Sequence, residues 1–391
     1  MSIKQISLDD QRLMSSSQTT LSSPSPKLDT HDALRYIWLC WRYLGMLPFM
    51  QSSYIYYAYS VLIIFYGAIL FPLFYVISLF VHIDFADRLA NLSVALPLLY
   101  TTAKQAIIFY YIQGDLQKAA HHLHAMDRRA EGHIEDCAYL KRTVRYCHRI
   151  FIVNYAGFWL ALLVYGLLGV MSHKLPFEGW LPFDWQHSRG AYTLACTLQM
   201  FCFCSQVTNA VCIDTYSVTY LALLVAHLRV LNARIERIGN CNTRTETDLY
   251  GELIACVQDH RECMCYYNCI RPAISGTLFV QFLSTALGLC APAIAFVGGD
   301  FDLFQLLKFI IFFFAIIIEV APCCWFMDEV MAEMRQLTTA LFSCSWYEQS
   351  PRFRRDLIIF MQRSQKEDKI IAGNITAVSL ETFRSVSENL C

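Results

Sequence analysis

The sequence predicts an all-α fold, a polytopic transmembrane helical bundle with a cytoplasmic N-terminus. Its composition, its long apolar segments and its one-sided distribution of basic residues support this class. Of the 391 residues, 56% are hydrophobic and 16% are charged, which is more apolar surface than a soluble core requires. The formal net charge of −1 lacks the basic excess of nucleic-acid-binding proteins. We therefore expect membrane lipid as the surroundings and no nucleic-acid partner.

Residues 1–53 are predicted to form a cytoplasmic N-terminal segment. Its first part is polar, and the stretch "SSSQTTLSSPSPK" from Ser15 to Lys27 is typical of an unstructured tail. We expect no secretory signal in this segment, because the short apolar region of a signal peptide is not found before the first span.

Six apolar segments are long enough to cross hydrocarbon about 30 Å thick, which takes roughly 20 helical residues. They make up a predicted membrane bundle over residues 54–323, with spans at 54–82, 91–112, 150–171, 191–225, 272–297 and 303–323. The fourth segment is too long for a perpendicular span, so we expect it to tilt or to continue as a helix beyond the bilayer.

The basic residues set the direction of the chain. The N-terminal segment, the second and fourth connections and the stretch after the sixth span carry 25 Lys and Arg, and the other three connections carry three. Positive charge favours the cytoplasmic side, so the N-terminus is predicted to be cytoplasmic. This inverts the topology of a metabotropic seven-span receptor, which remains as an alternative. A transporter is disfavoured because no repeated halves are visible.

Of the charged residues inside the predicted spans, Lys308 lies near the outer end, where its side chain can reach the interface, and two others lie deeper. Lys104 lies in the inner half of the second span and Asp214 in the inner part of the fourth. Intramembrane charges are costly and usually face inward or are paired. An ion pair that supports structure or gating is the favoured interpretation, and two unpaired side chains that reach the interface are the alternative.

Aromatic residues with a few polar groups occupy the outer halves of the spans. We select Tyr100, Trp159, Tyr165, Gln199 and Phe203 as candidate ligand-binding residues. A mostly apolar pocket with few hydrogen-bonding groups suits a small, volatile or lipophilic ligand. Ordinary packing between helices is the alternative for each residue taken alone.

Other patterns suggest no chemistry. The His cluster between His121 and Asp127 stands alone, and the helical set Cys256, His260 and Cys263 lacks a fourth ligand, so no metal site is predicted. No nucleophile and base suggest an enzyme, and no cofactor is expected. Asn91 begins a sequon on the predicted outer side, close to the bilayer, and is a possible glycosylation site.

Three motifs resemble those of the insect odorant receptors. "LPFDW" precedes the fourth span, "WYEQSPRFRRDLIIFMQRSQK" runs from Trp346 to Lys366, and "AGNITAVSLETF" runs from Ala372 to Phe383. The resemblance implies a ligand-gated, non-selective cation channel that detects small volatile odorants. It implies an odorant-specific subunit in a heterotetramer with a co-receptor, in the plasma membrane of olfactory sensory neurons. A gustatory-type receptor channel is the close alternative.

The resemblance also assigns the end of the chain. Residues 324–369 are expected to form a cytoplasmic helical segment, in which Trp346 and Tyr347 are candidate subunit contacts. In the family, the last span lines the pore. Here residues 370–391 start like that span and then turn polar at "RSVSENLC", so we expect an incomplete last span and a truncated or divergent C-terminus.

Overall fold

The computed structural model describes residues 28–47, 53–81, 85–171, 175–177, 179–185, 188–239, 245–297, 303–344, 346–365, 370–372 and 376–377. The described chain is almost entirely helical. Its helices, in chain order, are α1 Arg35–Tyr43, α2 Tyr54–Val81, α3 Phe85–Ile112, α4 Asp115–Ala130, α5 Ile134–Met171, α6 Arg189–Gly239, α7 Glu246–Val297, α8 Leu303–Ser343 and α9 Pro351–Ser364. Helix α2 contains a wider π-helical turn over Phe65–Leu70.

Helix α6 is the centre of the bundle. It packs against α5, α7 and α8, and 94% of its most apolar window is buried, against 28% for α2 and 17% for the apolar part of α5. Its 51 residues extend about 75 Å at 1.5 Å per residue. The helix thus continues well beyond the length that the hydrocarbon requires, as expected for the fourth apolar segment.

Each of the six predicted spans falls on one of the long helices α2, α3, α5, α6, α7 and α8, and residue 82, the last of the first span, lies outside the described residues. By length and hydropathy, three helices of the described residues qualify as membrane spans: Tyr54–Val81, Ile134–Val164 and Arg189–Ile238. The helical bundle is therefore established. The number of spans, the side of the membrane on which the chain begins and the boundaries of the four predicted segments stay predictions.

The described part of the N-terminal segment packs on the bundle. A 3₁₀ turn, Thr30–Leu34, begins at Asp29, whose side chain accepts a hydrogen bond from the His31 backbone N–H. Helix α1 then buries Trp41, whose ring lies 6.0 Å from that of Tyr216. Residues 1–27, which include the predicted unstructured tail, lie outside the described residues.

The end of the bundle that is predicted to be cytoplasmic is held by ion pairs and by an apolar cluster separate from the main core around α6, which we call the second apolar cluster. Leu231, Leu253, Leu341 and Phe353 are among its buried members. Arg229 of α6 pairs with Glu329 and Glu333 of α8. Because these pairs flank an apolar interface, they fix the register of α6 against α8.

A two-residue antiparallel ladder follows helix α9. Ile371–Ala372 pairs with Thr376–Ala377, and the Ser275 hydroxyl donates to the Ile371 carbonyl at 2.5 Å. The ladder is the described beginning of the predicted last span. Residues 378–391 lie outside the described residues, so the rest of that span stays a prediction.

Candidate functional site

Four aromatic side chains and one amide form a buried group at the end of the bundle predicted to be outer. We call this group, Phe71, Tyr75, Phe177, Gln199 and Phe203, the aromatic cluster. Phe71 and Tyr75 lie edge-on to Phe203, with ring centroids 5.1 and 5.9 Å away. Edge-to-face pairs at such distances are favourable, so the cluster is a well-packed apolar site with one strongly polar member.

The connection between α5 and α6 closes the aromatic cluster from one side. The Phe177 ring stacks on Phe203 with centroids 3.7 Å apart, and the Trp180 ring lies 5.9 Å from Phe74. Gly179 lies so close to the Tyr75 ring that a Cβ there would be 2.9 Å from it. The described residues of this connection therefore cover the aromatic cluster.

Gln199 supplies the polar chemistry of the cluster. Its Nε2 donates to the Phe177 carbonyl at 2.9 Å and lies 3.4 Å from the Tyr75 hydroxyl. The carbonyl accepts only, so it fixes which end of the amide faces it. Gln199 is 1% exposed, and its Oε1 has no partner among the described residues. A buried acceptor without a donor is costly, so this oxygen is available to a ligand that carries one.

The other predicted ligand residues lie elsewhere. Tyr100 lies beneath Lys104, whose Nζ is 5.0 Å from its ring centroid. Trp159 packs on Tyr155 at 5.8 Å, and its indole N–H is buried without a partner among the described residues. Tyr165 lies on α5, and its side chain is outside the described residues. Of the five predicted residues, the structure brings Gln199 and Phe203 together.

A polar network joins four helices in the interior. Lys104 Nζ of α3 lies 2.9 Å from Asp214 Oδ1 of α6 and 3.4 Å from Glu319 Oε1 of α8. Gln281 Nε2 of α7 donates to Glu319 Oε2 at 2.9 Å. We call Lys104, Asp214 and Glu319 the charged triad. The structure thus places the two predicted intramembrane charges in contact and adds a third.

Sequence reasoning missed Glu319, Phe71, Tyr75 and Phe177. Glu319 was detectable as a single acidic residue at the end of the apolar run "FIIFFFAIII", where an ionisable group marks a functional position. Phe71 and Tyr75 carried no such signal, because α2 is apolar on all sides and its pattern does not reveal which face is buried. Phe177 lies in the connection between α5 and α6, where no helical period indicates a contact.

The remaining predicted positions are peripheral. Asn91 is 2% exposed within α3, so a glycan on it would displace the packing around it. Trp346 packs on the second apolar cluster, and Tyr347 is 66% exposed.

Among the titratable groups outside the predicted spans, Asp127 and His260 have pKa values that burial shifts. Burial raises the pKa of Asp127 to about 7, although hydrogen bonds from Thr30 oppose the shift. Burial, together with the nearby Arg363, lowers the pKa of His260 to about 4. His260 packs on Phe360 at 5.3 Å, so it is a neutral core residue at pH 7.

A bundle of long helices, several of them apolar enough to cross a bilayer, defines a polytopic membrane protein. Residues 84–390 match the family described as 7tm Odorant receptor. Odorant receptor 2a of Drosophila melanogaster is 30% identical over 377 residues, 92% of this chain and 94% of that one. Odorant receptor 42a of the same species is 28% identical, with 77% and 74% covered. The chain belongs to the insect odorant receptor family.

Solved structures agree with this assignment at the level of the fold. The insect olfactory receptor OR5 from Machilis hrabei superposes with a TM-score of 0.77 at 18% identity, covering 91% of this chain and 95% of that one. The same receptor in complex with eugenol gives a TM-score of 0.75 at 18% identity. The chain is therefore a receptor rather than an enzyme, and the family match favours an odorant receptor over the gustatory alternative.

Proposed function

We propose that this chain is the odorant-specific subunit of an odorant-gated, non-selective cation channel. It assembles with a co-receptor as a heterotetramer in the plasma membrane of olfactory sensory neurons. Family membership supports the class of function, and the eugenol complex of the OR5 receptor supports a small organic ligand.

The aromatic cluster is the proposed odorant site. The observation that carries this assignment is the unpaired Gln199 Oε1, which is buried among aromatic rings at the predicted outer end. The rings supply apolar contact, and the amide oxygen supplies one hydrogen-bond acceptor. An apolar odorant with one hydroxyl donor satisfies both, whereas its methyl ether leaves the oxygen unpaired.

Gating follows from differential binding. An odorant opens the channel only if it binds the open state more tightly than the closed state. Phe177 fills the space beside Phe203 in this structure, so an odorant that enters the cluster displaces or repacks it. In this proposal, the connection between α5 and α6 transmits occupancy of the site.

The test pairs an alcohol with its methyl ether in cells that express the chain and a co-receptor, with odorant-evoked current as the readout. The intact receptor is expected to prefer the alcohol by about 2- to 10-fold, the value of one hydrogen bond, and Gln199→Leu is expected to remove the preference.

Gln206→Leu is the matched control. Gln206 lies on the same helix, donates to the Gly67 carbonyl and also has an Oε1 without a partner among the described residues, but it is not part of the aromatic cluster. This variant should retain the alcohol preference. An unchanged preference in Gln199→Leu would place the odorant outside the aromatic cluster.

A further inference from the structure

The charged triad contains one more negative group than positive groups. Lys104 is a single ammonium, and Asp214 and Glu319 are two carboxyl groups. The side chains are 4%, 16% and 15% exposed, in that order. If all three were ionised, one net negative charge would remain in the interior of the bundle, where an uncompensated charge is costly.

The surroundings do not neutralise this charge. On the described part of the chain, the other titratable groups that face the triad are Tyr100 of α3, Cys212 and Tyr216 of α6, and Cys323 of α8. Phenols and thiols are uncharged near neutral pH. Helix α7 contributes the neutral Gln281, which donates to Glu319.

The two carboxyl groups also share one cation, since Asp214 Oδ1 lies 2.9 Å and Glu319 Oε1 3.4 Å from the same Lys104 Nζ. Two ionised carboxylates held this close together repel each other, and one ammonium balances only one of them. Such a site favours one proton held between the two carboxyl groups, as in other carboxyl pairs that share a site.

We propose that Asp214 and Glu319 hold one shared proton, which makes the charged triad electroneutral and the odorant-evoked current dependent on pH. With the proton bound, one carboxylate pairs with Lys104 and the other carboxyl donates to it. Loss of the proton leaves two adjacent carboxylates on α6 and α8, which repel each other. The triad joins α3, α6 and α8, so this repulsion acts on the packing of three helices.

Infrared spectroscopy of the purified full-length chain tests the proton directly, without any channel current. A protonated carboxylic acid has a C=O stretching band that its carboxylate lacks. Asp127 also titrates near neutral pH, so every protein compared carries Asp127→Asn. The parent protein is expected to show the band at pH 7 and to lose it at high pH.

Glu319→Gln and Asp214→Asn each leave Lys104 with one carboxylate, a neutral pair, so both are expected to fold and to lack the band. Glu348→Gln, which alters an exposed residue, is the control that keeps it. Absence of the band from the parent, or its survival in Glu319→Gln and Asp214→Asn, would overturn the shared proton.

Current recordings test the regulatory part, which rests on the proposed channel function. Odorant-evoked current should change with pH in the parent and not in Glu319→Gln. A band with a pH-independent current would overturn the regulation and leave the proton site in place. No odorant-evoked current in any variant, with the band present, would count against the proposed channel function instead.

Discussion

At the scale of single residues, Lys104 is the pivot of the charged triad because it has two carboxyl partners. Asp214 and Glu319 each have this one ammonium among the described residues. Loss of the cation therefore leaves two largely buried acids without a cationic partner, whereas loss of one acid leaves an intact pair. Removal of the charge of Lys104 should therefore destabilise the receptor more than removal of the charge of Asp214.

Lys104→Met is expected to reduce the amount of folded receptor at the cell surface severely, since removal of one partner from a buried pair costs about 3–5 kcal/mol. Asp214→Asn should be mild because Glu319 still pairs with Lys104. The double variant, Lys104→Met with Asp214→Asn, should recover part of the surface receptor that Lys104→Met alone loses. Surface labelling of the three variants measures this, and losses that simply add would rule out the coupling.

Asp127 gives a pH dependence of stability. Its carboxyl accepts hydrogen bonds from the Thr30 N–H and hydroxyl and lies 3.5 Å from His227 Nε2. Its pKa is raised from 3.8 to about 7 in the folded chain, so between those values the folded state binds more proton than the unfolded state. The contribution of Asp127 to the free energy of unfolding is therefore present at low pH and is lost as the pH rises from about 4 to about 7.

Asp127→Asn is accordingly expected to flatten the pH dependence of the unfolding temperature over that range. Thermal unfolding of the detergent-solubilised receptor provides the measurement. Asp115→Asn is the control because Asp115 lies in an exposed pair with Lys118 and should leave the dependence unchanged. A wild-type slope in the Asp127 variant would contradict the assignment.

At the scale of elements, the corner between α1 and α2 depends on one glycine. Gly45 has φ +73°, and a Cβ at this position would be 2.7 Å from the Ser60 Cα of α2. Left-handed backbone is unfavourable for other residues, and here the close neighbour is backbone that cannot turn aside. The corner sets how α1 meets α6, where Trp41 is buried.

Gly45→Ala is expected to destabilise the receptor by about 1–3 kcal/mol, the usual cost of a strained backbone position, with further loss from the contact. Gly132→Ala is the matched control, because nothing lies within 4 Å of a Cβ at Gly132. Thermal unfolding of both variants provides the comparison. Equal stability of the two would mean that the corner relaxes freely.

Sequence reasoning predicted the elements better than their contacts. The apolar segments located the helices because the hydrocarbon sets their length. The long continuation of α6 followed from the same argument. The partner of an intramembrane charge depends on how helices rotate about their axes, and helices that are apolar on all sides carry no pattern that reports this rotation. Tyr75 was missed for that reason. Glu319 was visible as a single acidic residue in the sixth apolar segment, and only its partners depended on the rotation of the helices.

At the scale of the whole molecule, the direction of the chain is the prediction with the widest consequence. The excess of Lys and Arg on alternate connections predicts a cytoplasmic N-terminus. An epitope tag at the N-terminus should therefore bind antibody only after cells are permeabilised. A tag in the connection between α5 and α6 should bind on intact cells. The reverse pattern would revive the metabotropic alternative.

The length of α6 has a mechanical consequence. Gln199 of the aromatic cluster and Arg229 of the Glu329–Glu333 contact lie on this one helix, about 45 Å apart along its axis. If a helix of that length tilts as a unit by about 5° around one end, its other end moves by about 4 Å. Arg229 contacts Glu329 and Glu333 of α8 at the same time, and a displacement of that size exceeds the reach of both contacts. A movement of α6 small enough to leave the Gln199 packing nearly intact is therefore large enough to break ion pairs at the far end.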